Sequence, residues 1–172
     1  LIDVGVETYS RKTFSPQRYE IWTMQSHYHN VVNFGEVQQL PGREYRAEVK
    51  DVTLEEGYVG ITMELSHAYP EGTVGSYVRQ VEFNKEASIV ITDRLSEIPE
   101  GSCLTLMTLA KPVWDGSTLT VGDVDTLKIE ADGQVIIEEI PLTDAKLQGE
   151  WGERVYRTRV FFGRTAQIKV VI

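Results

Sequence analysis

A chain of 172 residues with 26 acidic and 17 basic side chains carries a net charge of −9, which excludes a nucleic-acid coat, since phosphate binding needs a dense Lys/Arg surface. The length supports one sizeable core and not two, so residues 1–172 read as a single domain. No apolar run is long enough to span a bilayer, and the lone Cys103 lacks a partner for a disulfide or a thiolate metal site and reads as a small buried residue.

From Leu1 the first residues read as a strand, and the start without Met leads to the expectation that the chain was cut from a longer polypeptide. No basic, apolar, small-residue pattern marks a secretory signal, and the compartment stays open. Residues 10–56 hold more polar aromatics, Asn, Gln and charge than a sandwich core requires, so function is expected there. The best helical candidate, Pro16 to Met24, lasts barely two turns.

From about residue 57 onward, short apolar or alternating runs follow one another with turn residues between them, the rhythm of antiparallel β-structure. They are Tyr58 to Leu65, Ser76 to Phe83, Ser88 to Thr92, Cys103 to Leu109, Ser117 to Val121, Thr126 to Glu130, Gln134 to Ile140, Arg154 to Phe162 and Thr165 to Ile172. Reversals are expected at Asn84-Lys85, Asp115-Gly116, Asp132-Gly133 and Gly163-Arg164, where residues tolerant of positive φ make tight turns. Thr126 to Glu130 alternates as a strand with one wet face should, whereas Ser88 to Thr92 reads as buried on both faces. The pattern predicts an all-β, antiparallel two-sheet sandwich with few or no helices.

The chemistry-bearing residues gather in Ser26-His27-Tyr28-His29-Asn30, just before the apolar run from Val31 to Phe34. On an extended strand His27 and His29, at i and i+2, point to one face and can share a site. The third histidine, His67, follows the strand that ends near Leu65. Neutral imidazoles with a carboxylate are the usual ligands of Zn²⁺; one packed and one solvated ring is the plainer reading of the same pair.

The opening Leu1-Ile2-Asp3-Val4-Gly5, the stretch Arg18-Tyr19-Glu20-Ile21-Trp22, His29-Asn30, Gly35 followed by Gln39, Ala68-Tyr69-Pro70 with Arg79, Asp93-Arg94 and Trp151-Gly152 run in order along the chain. Together they resemble the C-terminal half of the heparinase II/III-like polysaccharide lyases, over essentially the whole sequence. The most specific element is the Ser-His-x-His-Asn block.

The resemblance implies a supersandwich-like C-terminal domain, an N-terminal (α/α) toroid outside these residues, and an active site in the cleft between the two. It makes His27 the substrate-facing group and His29 and His67 ligands of a structural zinc. The acidic ligand does not transfer to one position: Glu44, Glu48 and Asp51 compete. The implied substrate is an acidic, uronic-acid-containing polysaccharide, cleaved by β-elimination, and export from the cell is slightly favoured.

Elimination requires that the substrate carboxylate be neutralised while the proton α to it is removed, and a histidine can donate charge or move the proton. Tyr19, Tyr28 and Tyr45 are local alternatives for acid or base, although a packed tyrosine with a satisfied hydroxyl is the plainer reading of each. Asn30 and Gln39 read as loop anchors, Trp114 and Trp151 as core, and Trp22 as a candidate sugar contact. Arg11, Lys12, Arg18, Arg43 and Arg46 are the residues from which a local cationic groove is expected. A carbohydrate-binding or scaffolding sandwich without catalysis is the competing function, since the fold alone decides neither.

Overall fold

The protein is described by a computed structural model covering residues 1–122, 125–130, 133–161 and 167–172. Among these residues the strands in chain order are β1 (Val32–Phe34), β2 (Glu48–Glu55), β3 (Tyr58–Glu64), β4 (Ser76–Asn84), β5 (Ser88–Ser96) and β6 (Ser102–Thr108). They continue with β7 (Pro112–Trp114), β8 (Thr118–Val121), β9 (Asp125–Glu130), β10 (Val135–Pro141), β11 (Arg154–Phe161) and β12 (Gln167–Val171). A four-stranded sheet has the order β1-β6-β11-β10 and an eight-stranded sheet the order β2-β3-β4-β5-β12-β9-β8-β7. Every strand pairing is antiparallel, so the expected all-β sandwich is the observed one.

Strand alternation decides what lies between the sheets. Leu104 and Leu106 of β6 and Val160 of β11 face Tyr77, Leu95, Leu127, Ile129 and Val170 of the larger sheet in one cluster. Each fully buried side chain of this size contributes about 1.5–3 kcal/mol through the water it sheds. Leu127 and Ile129 are buried while Lys128 and Glu130 are exposed, as the alternation in that run requires.

The strand buried on both faces is not the predicted one. Ser88 to Ile91 are only half-buried, whereas every residue of β6 is buried. The cause is a second core on the outer face of the small sheet, where Met107 and Val155 pack with Val4, Leu142 and Leu147, flanked by Trp22, Tyr28 and Trp151. The N-terminal segment therefore closes over the small sheet as a lid over a second, smaller interior.

That segment is not the strand expected from Leu1. It joins β6 through the Ile2 N–H, which donates to Met107 O at 2.9 Å, and Asn30 then binds both segments, donating to Ile2 O and accepting from Met107 N at 2.8 Å each. The helical candidate at Pro16 to Met24 resolves into two 3₁₀ turns, Pro16–Glu20 and Trp22–Met24, separated by extended Ile21. Ser15 caps the first of them by accepting from Gln17 N.

The sequence reading missed β2 and the helix α1 (Ala145–Trp151). β2 is exposed on nearly every residue and carries no buried face to create an alternating pattern. α1 is too short for a 3.6-residue period to appear, yet Asp144 marks its start by accepting from Lys146 N and Leu147 N, and Gly152 at φ 80° ends it. Of the expected reversals, Asn84-Lys85 and Asp115-Gly116 form turns; Asp132 and Gly163-Arg164 lie outside the described residues.

Candidate functional site

The histidine segment is pinned from below by a buried ion pair. Arg79 of β4 and Asp93 of β5 are register partners, and their side chains join by two bonds of 2.7 Å, Nε to Oδ1 and Nη2 to Oδ2. Their side chains are 11% and 1% exposed. The remaining arm, Arg79 Nη1, donates to Asn30 O at 2.7 Å. Burial works against the guanidinium charge, but the bond and field of Asp93 outweigh it and hold Arg79 above its ordinary pKa. Arg79 therefore ties the large sheet to the backbone immediately after His29.

Around this anchor Tyr69 donates to Val32 O and accepts from Gln39 Nε2 at 3.2 Å, while Gln39 N donates to Ser26 Oγ at 3.2 Å. Burial pushes the Tyr69 hydroxyl well up, which keeps it neutral. Asn30 and Gln39 are thus loop anchors, as read from sequence.

His27 sits on a 3₁₀ turn, Ser26–Tyr28, and lines an open pocket of ≈ 450 Å³ on the outer face of the small sheet. Its Nε2 lies 3.0 Å from Gly35 O. A carbonyl only accepts, so Nε2 carries the proton and the neutral ring keeps its lone pair on Nδ1, the atom available for proton exchange. Gly35 accepts this role in a tight turn at φ 59°.

The two histidines do not share a face. The i, i+2 argument holds for extended backbone, but a 3₁₀ turn advances roughly three residues per turn and sends His29 elsewhere. His29 Nδ1 meets Asp3 Oδ2 at 3.0 Å and Nε2 meets Thr23 O at 3.2 Å. Both partners accept, so a lone pair on either nitrogen faces an oxygen and not room for a cation.

His67 is exposed on a different 3₁₀ turn, Ser66–Ala68, and lines a separate pocket with Glu44 and Tyr45. Glu64, nearby, is pushed up by burial and more than brought back by bonds from Ser66 and from the Tyr77 N–H, so it stays below its usual range. Glu48 is paired with Lys50 at 2.8 Å, and Asp51 accepts from Thr53. Among the described residues no three of His, Cys, Asp and Glu group as metal ligands. The expected set of His29, His67 and one acid therefore does not fit a shared zinc in this arrangement, and no step of the chemistry is routed through one.

The expected cationic groove is also displaced. Arg11 and Lys12 line a separate depression where Lys12 pairs with Glu20 at 3.0 Å. The cations beside His27 are Arg157 and Arg159 of β11, which the sequence reading passed over. Their signal was an R-x-R inside a strand, the same parity argument that had been applied to the histidines. Both bind one carboxylate, Glu138 of β10: Arg157 Nε at 2.8 Å, Arg159 Nε and Nη2 at 3.1 Å each. Burial would raise Glu138, but these two guanidinium groups outweigh it and hold the carboxyl below its ordinary value.

Tyr28 stands in the same pocket with the Arg157 guanidinium 4.4 Å from its ring centre. Trp22 meets Tyr28 edge to face at 5.0 Å within the second core, a packing role and not an open sugar platform. Tyr19 and Tyr45 line other depressions. Cys103 is buried, as expected, and burial raises its thiol. Trp114 packs at the edge of the main core, and Trp151 ends α1 and donates to Val4 O at 3.0 Å.

No family model and no curated protein matches the sequence. Solved structures do match the fold. A heparinase III crystal structure superposes with a TM-score of 0.63 at 15% identity, covering 99% of this chain and 27% of its own. The chain has the fold of part of heparinase III. A second heparinase III, with methylated lysines, gives a TM-score of 0.68 at 15% identity over 98% of this chain. A heparan sulfate lyase from Pedobacter heparinus gives 0.61 at 16% identity over 98%. The chain spans about a quarter of these structures, 27% of each, so the shared fold is one part of each of those larger proteins. No helix is long and apolar enough to cross a membrane among the described residues.

Proposed function

We propose that this domain supplies one wall of the active-site cleft of a polysaccharide lyase that cleaves a uronic-acid-containing glycan by β-elimination, opposite a helical toroid domain of the same polypeptide. The observation that carries the reading is His27, held by Gly35 O in an open pocket beside Arg157 and Arg159. The likeness to heparinase III and heparan sulfate lyase folds supports the class of substrate.

In the elimination the C5–H bond breaks, its electron pair forms the C4–C5 double bond, and the C4–O bond breaks with the glycosidic oxygen taking a proton. The barrier is the acidity of C5–H while the adjacent carboxylate stays negative. With the ring neutral, His27 Nδ1 can accept that proton from C5; with the ring protonated, it can donate to the carboxylate. Tyr28, in the same pocket, is the nearest other candidate for proton delivery.

The test uses the polypeptide that carries this chain with heparan sulfate, alginate and a neutral glucan. The unsaturated uronate product is followed by its ultraviolet absorbance. His27→Ala is expected to lower turnover by about 10²–10⁴-fold, the usual contribution of general acid-base catalysis. Unchanged turnover in that variant removes His27 from the mechanism. Binding of acidic glycan with no double bond formed favours the non-catalytic carbohydrate-binding reading.

A further inference from the structure

We infer that Arg157 and Arg159 form a built oxyanion subsite that holds the carboxylate or sulfate of one sugar residue beside His27; the identity of the ligand as a sugar rests on the function proposed above, whereas the anion site rests on its own geometry.

The chain carries a net charge of −9, yet this pocket places two guanidinium groups two residues apart on one strand face. They share a single carboxylate, and their side chains are only 16% and 31% exposed. One charge of the pair is compensated by Glu138. The other acid at the pocket, Glu36, is exposed at its rim.

The donors are unevenly used. Arg157 spends Nε on Glu138 and Nη1 on His27 O at 3.4 Å; Arg159 spends Nε and Nη2 on Glu138. Arg157 Nη2 and Arg159 Nη1 make no hydrogen bond among the described residues. Guanidinium groups match two oxygens of a carboxylate or of a tetrahedral sulfate through paired N–H donors, which a lysine cannot do. Glu138 holds both forks in place, so little side-chain freedom is lost on binding.

The walls suit a sugar around that anion. Phe161 lies under the Arg159 guanidinium, 5.3 Å from its ring centre, and can take the apolar face of a pyranose. Gln25 donates its amide to Tyr19 O at 3.1 Å, leaving its carbonyl for a hydroxyl donor. The volume, ≈ 450 Å³, falls in the roughly 300–1,000 Å³ range of small-molecule sites.

Calorimetric titration of the protein with three tetrasaccharide probes tests the site: an unsulfated polyuronate, a heparan sulfate fragment and a neutral glucan. Both acidic probes are expected to bind, more weakly as salt rises, and the neutral one not to. The tighter of the two acidic probes identifies carboxylate or sulfate as the preferred group. Arg159→Gln is expected to lower affinity at least tenfold and Glu36→Gln to raise it.

Because Arg159→Gln also breaks a structural ion pair, Glu138→Gln is the matched control: its amide oxygen still accepts from a guanidinium while the competing negative charge is gone, which offsets the weaker hold on the two forks, and it is expected to bind about as tightly as wild type. Equal loss in Glu138→Gln and Arg159→Gln overturns the site, as does wild-type affinity in Arg159→Gln or equal binding of the neutral probe. His27→Ala keeps acidic-glycan binding on this inference. Lost turnover in His27→Ala alongside unaltered binding in Arg159→Gln therefore sinks the arginine site alone; intact turnover in His27→Ala with lost binding in Arg159→Gln sinks the catalytic reading alone.

Discussion

Asp93→Asn removes one charge and almost no volume, which isolates what the buried pair does. Wild-type Asp93 accepts two bonds of 2.7 Å from Arg79 while only 1% exposed. The amide can accept at one oxygen only, and its N–H₂ group faces a guanidinium that also donates. Arg79 cannot respond by losing its proton, since its pKa lies above an already high ordinary value. A buried, unpaired cation results, and removing one partner of such a pair costs about 3–5 kcal/mol. For a domain of this size that corresponds to a fall of roughly 6–20 °C in Tm. Urea and thermal unfolding at neutral pH, followed by tryptophan fluorescence, measure it. The double variant Arg79→Met with Asp93→Leu is expected to recover most of the loss, because an apolar pair of similar volume is often neutral or better. A loss below about 1 kcal/mol in Asp93→Asn would refute the reasoning, since it would put the pair in the class of exposed ion pairs.

Trp151→Phe keeps an aromatic ring against the second core but deletes the N–H donated to Val4 O; a loss of about 1 kcal/mol in urea unfolding is expected, and no loss would free the N-terminal segment from that contact. Glu138 gives a pH signature. Against the opposing effect of burial, its carboxyl is held below its ordinary value in the folded protein by Arg157 and Arg159, so its stabilisation is complete above the unfolded value and is lost as pH falls through the folded one. The stability gap between wild type and Glu138→Gln should thus narrow on acidification, and a gap independent of pH would deny the pairing. EDTA is expected to leave Tm unchanged, because His29 faces Asp3 and Thr23 O and no three of His, Cys, Asp and Glu group as metal ligands among the described residues; a fall reversed by Zn²⁺ would mean that the two histidines share an ion.

Periodicity made the sandwich legible because strands such as β9 are wet on one face and dry on the other, and that contrast is written residue by residue. It failed at β2, which has no dry face, and at β5, whose apolar Ile89-Val90-Ile91 is only half-buried. The run that is buried on both sides, β6, owes its outer cover to residues about a hundred positions earlier together with Leu142 and Leu147 after it. No local pattern encodes such a cover. The same limit applied to the site. His27 was identifiable as a residue, but whether His29 shared its face depended on a 3₁₀ turn that propensity does not announce. Arg157 and Arg159 lie far in sequence from residues 10–56, where function is expected, and only the topology brings β11 under that segment.

The two halves of the pocket are held by different means, and this bears on how it would work. Arg157 and Arg159 lie on β11, hydrogen-bonded to β6 on one side and β10 on the other, so their spacing is fixed by the sheet. His27 lies on a short turn held by Gly35 O and, one residue past His29, by Asn30 with its ties to Ile2, Met107 and Arg79. On the function proposed here, the group that binds charge is preorganised and the group that moves a proton hangs from side-chain bonds. That division suits elimination: the anion must be met by donors that need no rearrangement when enolate charge develops, while the proton-transfer group has only to come within bonding reach once the sugar is seated. It also makes Arg79 a positioning residue. Its loss should weaken turnover through displacement of His27 while leaving the Arg157/Arg159 contribution to binding largely intact, a split between kcat and KM that a general loss of folding would not produce.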